Sequence, residues 1–263
     1  MRAVARALAS RTHVGASDGP LDCRGVWVGR RRCVRIAEPG AGVVSLALDL
    51  RARGAARRAE QLLAAYALAA DDYEVYRAPA LRDGGSRSLL IVTGGGVATG
   101  KSTLAKALSR RMAIPLVIAD RVRDALLAPL AEPVAHEIAW TPEFVTRIYG
   151  DVFARADAVL ASGRSVVLDA CFPRVAQRRE AAALAARHAA SFVFVHCDAA
   201  PGEIAARLAK RDARDGGGWH ALAEAAPWEP LEADEPGRHL RIESGRAPVA
   251  WLRALADPTE EPA

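Results

Sequence analysis

Asparagine is absent from this 263-residue chain. Its absence excludes every motif that needs that amide, including the guanine-reading N-K-x-D loop. Lysine is nearly as scarce, with only Lys101, Lys106 and Lys210. The four cysteines, Cys23, Cys33, Cys171 and Cys197, form no C-x-x-C pair and show no metal-ligand spacing. They read as reduced thiols of a cytoplasmic protein, with Cys171 and Cys197 expected to be buried. No apolar run reaches the roughly 18 residues of a membrane span, so no membrane partner is expected. The N-terminus also lacks the long apolar core of a secretory signal.

The net charge of +5 and the pI near 9.3 suggest a polyanionic partner until they are located. Residues 1–40 hold eight arginines against Asp18, Asp22 and Glu38, which accounts for the whole excess. Residues 41–263 carry 28 basic and 28 acidic side chains. The charge therefore belongs to a leader and gives little support to nucleic-acid binding. Residues 1–40 are otherwise Gly-, Ser- and Arg-rich, with only Gly25–Val28 and Cys33–Ile36 resembling strands. An organelle transit peptide shares this composition, but a poorly ordered basic leader is the reading adopted.

What the chain does contain is Leu89 to Leu108, an apolar strand pattern, a glycine-rich turn and a helical pattern. The turn Gly95-Gly96-Val97-Ala98-Thr99-Gly100-Lys101-Ser102, continued by Thr103, fits G-x-x-x-x-G-K-[ST], the phosphate-binding P-loop. Glycines let successive N–H groups face one anion, and the following helix points its positive end at the same phosphates. Lys101 would reach the β- and γ-phosphates, and the Ser102 hydroxyl would hold Mg²⁺.

Around this motif the spacing predicts helices over 43–70, broken at Gly54, and a linker ending near Ser86. A domain over 86–258 follows, giving 41–85 as a helical segment with its linker. From residue 86 strands and helices alternate, which implies a parallel sheet between helices. The expected strands are Leu89–Thr93, Ile114–Ala119, Ser165–Asp169, Phe192–His196 and His239–Glu243. The expected helices include Thr141–Ser162, with Thr141 as N-cap and Pro142 at the first helical position. Others are Arg174–Ala189, Pro201–Asp212 and Ala247–Ala256.

Ligands of open α/β sheets bind beyond the carboxyl ends of the strands. Asp120 closes the second strand on this reading and would act either as general base or as a helix N-cap. Asp169 closes the third after the four strand residues Ser165-Val166-Val167-Leu168, the pattern of a carboxylate that helps hold Mg²⁺. Arg207 and Arg211, at i and i+4, form either a lid that neutralises transferring charge or a solvated face. Arg178 and Arg179 are candidates for an anion contact, and Trp140 and Tyr149 for the flanks of a substrate pocket.

The segments GGGVATGKST, ADRVR, VVLDACFPRVAQRR and CDAAPGEIAARLAKR together resemble the zeta-toxin and polynucleotide-kinase-like P-loop kinases, over about residues 88–256. The resemblance implies a P-loop NTPase kinase fold, a five-stranded parallel sheet between helices, here with a small helical N-terminal appendage. It implies Asp120 as catalytic base with Arg123 three residues on, and Arg207 and Arg211 as an R-x-x-x-R lid. Lys101, Asp120, Arg123 and Arg211 are thus the catalytic candidates. That group usually carries Thr after the third-motif Asp, and Ala170 stands here, so no hydroxyl contact is available.

A closer resemblance, through LALDLRARG, WTPEFVTRIYGDVF and VVLDACFPRVAQRR, is to the ATP-binding half of bacterial fused aminoglycoside phosphotransferase and ATP-binding proteins. The phosphotransferase signature needs Asn and is missing, which leaves 41–85 as a helical remnant. Residues 1–40 do not resemble that group and are read as a truncated or frame-shifted upstream region. The function implied is ATP- and Mg²⁺-dependent phosphorylation of a small-molecule hydroxyl. Kinases of polynucleotide 5′-hydroxyls or nucleotide sugars, and a non-catalytic ATP-binding module, are the alternatives. The sequence names neither the acceptor nor an oligomeric state.

Overall fold

The computed structural model describes residues 21–23, 26–28, 34–36, 41–69, 76, 87–215, 217–225 and 228–243. Within the basic leader, β1 (Leu21–Cys23), β2 (Val26–Val28) and β3 (Val34–Ile36) pair as a small antiparallel sheet. β2 and β3 fall on the two stretches with strand character.

The helical segment forms α1 (Ala41–Ala52) and α2 (Ala56–Ala69). Gly54 sits between them at φ 77, where L side chains are strained. The N–H of Ala55 returns to the Leu50 carbonyl at 2.8 Å, closing α1. Val43, Leu46, Leu62, Leu63 and Tyr66 of this pair are buried in one core with sheet residues Leu90, Val92, Val117 and Leu168. The appendage is therefore packed onto the sheet. Arg164, just before the third strand of that sheet, and Glu60 on α2 also form a buried ion pair at 3.9 Å.

The main unit runs β4 (Leu89–Gly94), α3 (Lys101–Met112), β5 (Leu116–Ile118), α4 (Ala119–Leu127), α5 (Glu132–Ile138) and α6 (Pro142–Ala161). It continues through β6 (Val166–Asp169), α7 (Val175–Arg187), β7 (Ser191–Asp198), α8 (Pro201–Asp215), α9 (Trp219–Ala225) and β8 (Arg238–Glu243). The five strands are all parallel, in the order β5-β6-β4-β7-β8. Apolar clusters cover both faces of the sheet, which explains why β4 and β6 read as unbroken apolar runs. β4 is central, so the P-loop leaves the middle of the sheet.

Two local expectations change. β5 stops at Ile118, and Asp120 stands in the first turn of α4, which starts without an intervening loop. Nor is Asp120 the N-cap, since Ile118 holds that position. A carboxylate in a first turn is favoured by the helix dipole. Thr141 does cap α6, its hydroxyl accepting the Phe144 N–H at 3.3 Å. Cys197 is buried, but Cys171 is only half-buried, because it lies past the end of β6, where side chains meet the cleft. The expected helix Ala247–Ala256 lies outside the described residues. Among those residues, no helix is long and apolar enough to cross a membrane.

Candidate active site

The strand register brings the expected chemistry to one edge. Thr93 and Ile118 both pair with Asp169, and Gly94 pairs with His196. The P-loop begins at that line. Gly95 takes φ 133, and a Cβ there would run into the Cys197 carbonyl. Its N–H donates to the Cys171 carbonyl at 2.9 Å. The Thr99 hydroxyl and the Lys101 ammonium both donate to the Gly96 carbonyl, at 2.9 and 3.2 Å. The loop is thus curled before any phosphate enters, and Ser102 and Thr103 open α3 beneath it.

Asp169 is 3% exposed, and neither of its carboxylate oxygens has a hydrogen-bond partner. Burial raises its pKa. The Lys101 ammonium and the Ser102 hydroxyl stand close enough to pull the other way, without satisfying either oxygen. An orphaned buried carboxylate is costly, and a hard divalent cation is the natural partner for it beside a hydroxyl. Among the described residues no group of three or more His, Cys, Asp or Glu could hold a metal alone. A cation at Ser102 and Asp169 would share its remaining ligands with phosphates and water, as Mg²⁺ does.

Asp120, its side chain 65% exposed, accepts from Arg123 Nη1 at 2.9 Å. The Arg123 guanidinium lies 4.0 Å from the centroid of the Trp140 ring. Tyr149 accepts the Phe172 N–H at 2.9 Å, and burial pushes its phenol pKa up, so the hydroxyl stays neutral. Phe172 is fully buried at φ 51, a backbone state that few non-glycine residues adopt. The same residue gives its carbonyl to Arg178.

Arg207 and Arg211, both on α8, take different partners. Arg207 Nη1 donates to the Ala98 carbonyl of the P-loop at 3.0 Å, and Nη2 to Glu203 at 2.8 Å. Arg211 stacks over Trp219, 5.1 Å from its centroid. Only Arg207 is drawn to the loop.

Arg178 is not an anion contact. It is 1% exposed and binds both oxygens of Glu235 at 2.7 Å. Its other donors reach the carbonyls of Phe172, Pro173 and Pro230, so it latches segment 228–237 onto the loop after β6. Arg179 pairs with Glu232 and Asp234 at the surface. This latch pairs residues 57 apart in the chain, and no local sequence signal could reveal it. Burial opposes the Glu235 charge, but the Arg178 hydrogen bonds outweigh it, and its pKa falls below the ordinary 4.5. A depressed folded-state pKa contributes stability that is complete above 4.5 and lost as pH drops through the folded value. Melting temperature should fall more steeply below pH 4.5 in the wild type than in Glu235→Gln. Parallel acid limbs in thermal scans would contradict the latch.

Comparison with known proteins agrees with this geometry. A family model described as AAA domain matches residues 90–229. An uncharacterized protein of Mycobacterium tuberculosis H37Rv is 30% identical over 141 residues, which are 52% of this chain and 28% of that protein. The chain thus spans little more than a quarter of the length of the curated relatives it matches. The solved structure of a kinase candidate from Chloroflexus aurantiacus j-10-fl superposes with a TM-score of 0.53 at 18% identity, covering 65% of this chain and 98% of that one. The Mycobacterium tuberculosis APS kinase, solved with AMPPNP and APS, superposes at 0.48 and 19% identity, covering 67% and 100%. The fold is that of the P-loop kinases.

Proposed function

Because the chain belongs to the AAA domain family through residues 90–229, we propose that it is an ATP-dependent phosphotransferase acting on a hydroxyl of a small molecule. The observation that carries this reading is the orphaned Asp169 carboxylate beside Ser102 and Lys101 of the P-loop, with a second carboxylate, Asp120, near enough for its charge to act on Asp169. In motif order residues 88–256 resemble the zeta-toxin and polynucleotide-kinase-like P-loop kinases. ATP is favoured over GTP because a chain without asparagine cannot build N-K-x-D.

In the mechanism, backbone N–H groups within Gly96–Ser102 and the Lys101 ammonium hold the β- and γ-phosphates. Mg²⁺ held by Ser102 and Asp169 would neutralise charge on those phosphates. The acceptor oxygen attacks the γ-phosphorus, the bond to the β-phosphate oxygen breaks, and ADP leaves. The hydroxyl proton passes to Asp120. Arg207, already against the loop, stabilises charge on the phosphoryl group. Arg211 would join it by leaving Trp219 when the lid closes.

The neutral charge of residues 41–263 weighs against a polynucleotide acceptor, whose binding would be steeply salt-dependent. A cytoplasmic location fits the reduced cysteines. The test is ADP release from ATP and Mg²⁺ across a panel of alcohols. Acceptor-dependent release with a phosphorylated product is expected. ATP binding with no acceptor able to stimulate release would leave only a non-catalytic ATP-binding module.

A further inference from the structure

The acceptor wall is unusually committed. Arg123 could grip an anionic substrate only with a free guanidinium fork. Here Nη1 is engaged by Asp120 and the cationic plane lies against Trp140, with Nε buried and without a hydrogen-bond partner. Its charge is already balanced by the carboxylate beside it.

The surface beside Arg123 is apolar instead. Trp140 is 48% exposed, and Leu130, between α4 and α5, and Val134, on α5, are exposed as well. These are three of the four large exposed hydrophobic residues among the described ones, so the exposed apolar side chains are concentrated in residues 130–140. Between Arg123, which lies against Trp140, and Arg147, the charged residues have one sign. Residues 124–146 contain Asp124, Glu132, Glu137 and Glu143, all exposed, and no lysine or arginine. Such a rim disfavours the encounter of an anion while leaving a neutral ring unaffected.

We propose that Trp140 selects the acceptor, stacking its open indole surface on the ring of an alcohol that carries no anionic group. This deepens the kinase reading and rests on it. Arg123 then serves a different purpose from an anion clamp. It stiffens Trp140 from one side and holds Asp120 in place from the other, so the ring and the base keep a fixed spacing. A sugar or nucleoside-like ring that stacks on Trp140 would present its hydroxyl to Asp120.

The experiment uses the full chain with ATP, Mg²⁺ and matched alcohols offered with and without a phosphate: ribose and ribose 5-phosphate, glucose and glucose 6-phosphate, uridine and uridine 5′-monophosphate, and a 5′-hydroxyl oligonucleotide. ADP release should be stimulated by an unphosphorylated ring and not by its phosphorylated partner. Trp140→Ala should raise that acceptor's KM about tenfold, the scale of one lost stacking contact, with the KM for ATP unchanged. Trp140→Phe should retain most of the affinity. Preference for any phosphorylated member or the oligonucleotide overturns the inference and leaves the kinase reading standing. So does a fall in kcat at constant acceptor KM in Trp140→Ala, which would mean that Trp140 acts only through Arg123 on the base. Failure of every member to release ADP removes both readings together.

Discussion

A fragment beginning at Ser86 will not fold as an independent domain. Val43, Leu46, Leu62, Leu63 and Tyr66 on the two N-terminal helices are all buried in the core that also holds Leu90, Val92, Val117 and Leu168. At about 1.5–3 kcal/mol for each fully buried side chain, their loss amounts to roughly 10 kcal/mol. That is comparable with the whole stability of an ordinary domain, about 5–15 kcal/mol. The fragment would also expose the sheet face the helices cover. Its expected behaviour is aggregation or a broad, non-cooperative melt, where the chain from residue 41 melts cooperatively. Leu63→Ala gives a graded version, with an expected cost of about 2–5 kcal/mol. A soluble 86–263 fragment melting at the full-length temperature would show that the helices are dispensable.

Asp169→Asn should move stability and activity in opposite directions. The buried carboxylate has no hydrogen-bond partner, and its burial raises its pKa. A neutral amide of the same shape relieves most of that cost, on the order of 1–3 kcal/mol. For a chain of this size the expected gain is several degrees in melting temperature, at about 2–4 °C per kcal/mol. The amide cannot supply the negative charge that a divalent cation needs. Turnover should drop by about a hundredfold or more, on the scale of the several kcal/mol that a catalytic metal provides. The extra thermal stabilisation by Mg²⁺ over ATP alone should vanish too. A variant that melts lower than wild type and keeps its turnover would place the cation elsewhere.

The central strand, the P-loop and Asp169 were legible because each is encoded locally. An apolar run, a glycine-rich turn and a terminal carboxylate lie within a few residues of one another. Thr141 as N-cap was legible for the same reason. The end of β5 was not, because Val117-Ile118-Ala119 is apolar throughout and periodicity cannot say where pairing stops. Asp120 therefore moved from a strand end into a helix turn.

Arg178 and Arg123 share a different cause. A sequence shows an arginine as a free cation, whereas its charge is set by the side chains that fold against it. Glu235 consumes the first, and Asp120 with Trp140 consumes the second. Arg207 and Arg211 carry the right spacing for a shared role, but in this structure only Arg207 meets the P-loop. That spacing specifies a helix face and leaves the position of the lid open.

The most direct measurement is phosphoryl transfer by Asp120→Ala, with ATP affinity determined alongside. Asp120 is exposed and outside the P-loop, so its removal should leave folding and the Kd for ATP unchanged. Loss of a general base is expected to lower acceptor-dependent kcat by about 10²–10⁴. An Asp120→Ala enzyme that phosphorylates the acceptor at the wild-type rate would contradict the account.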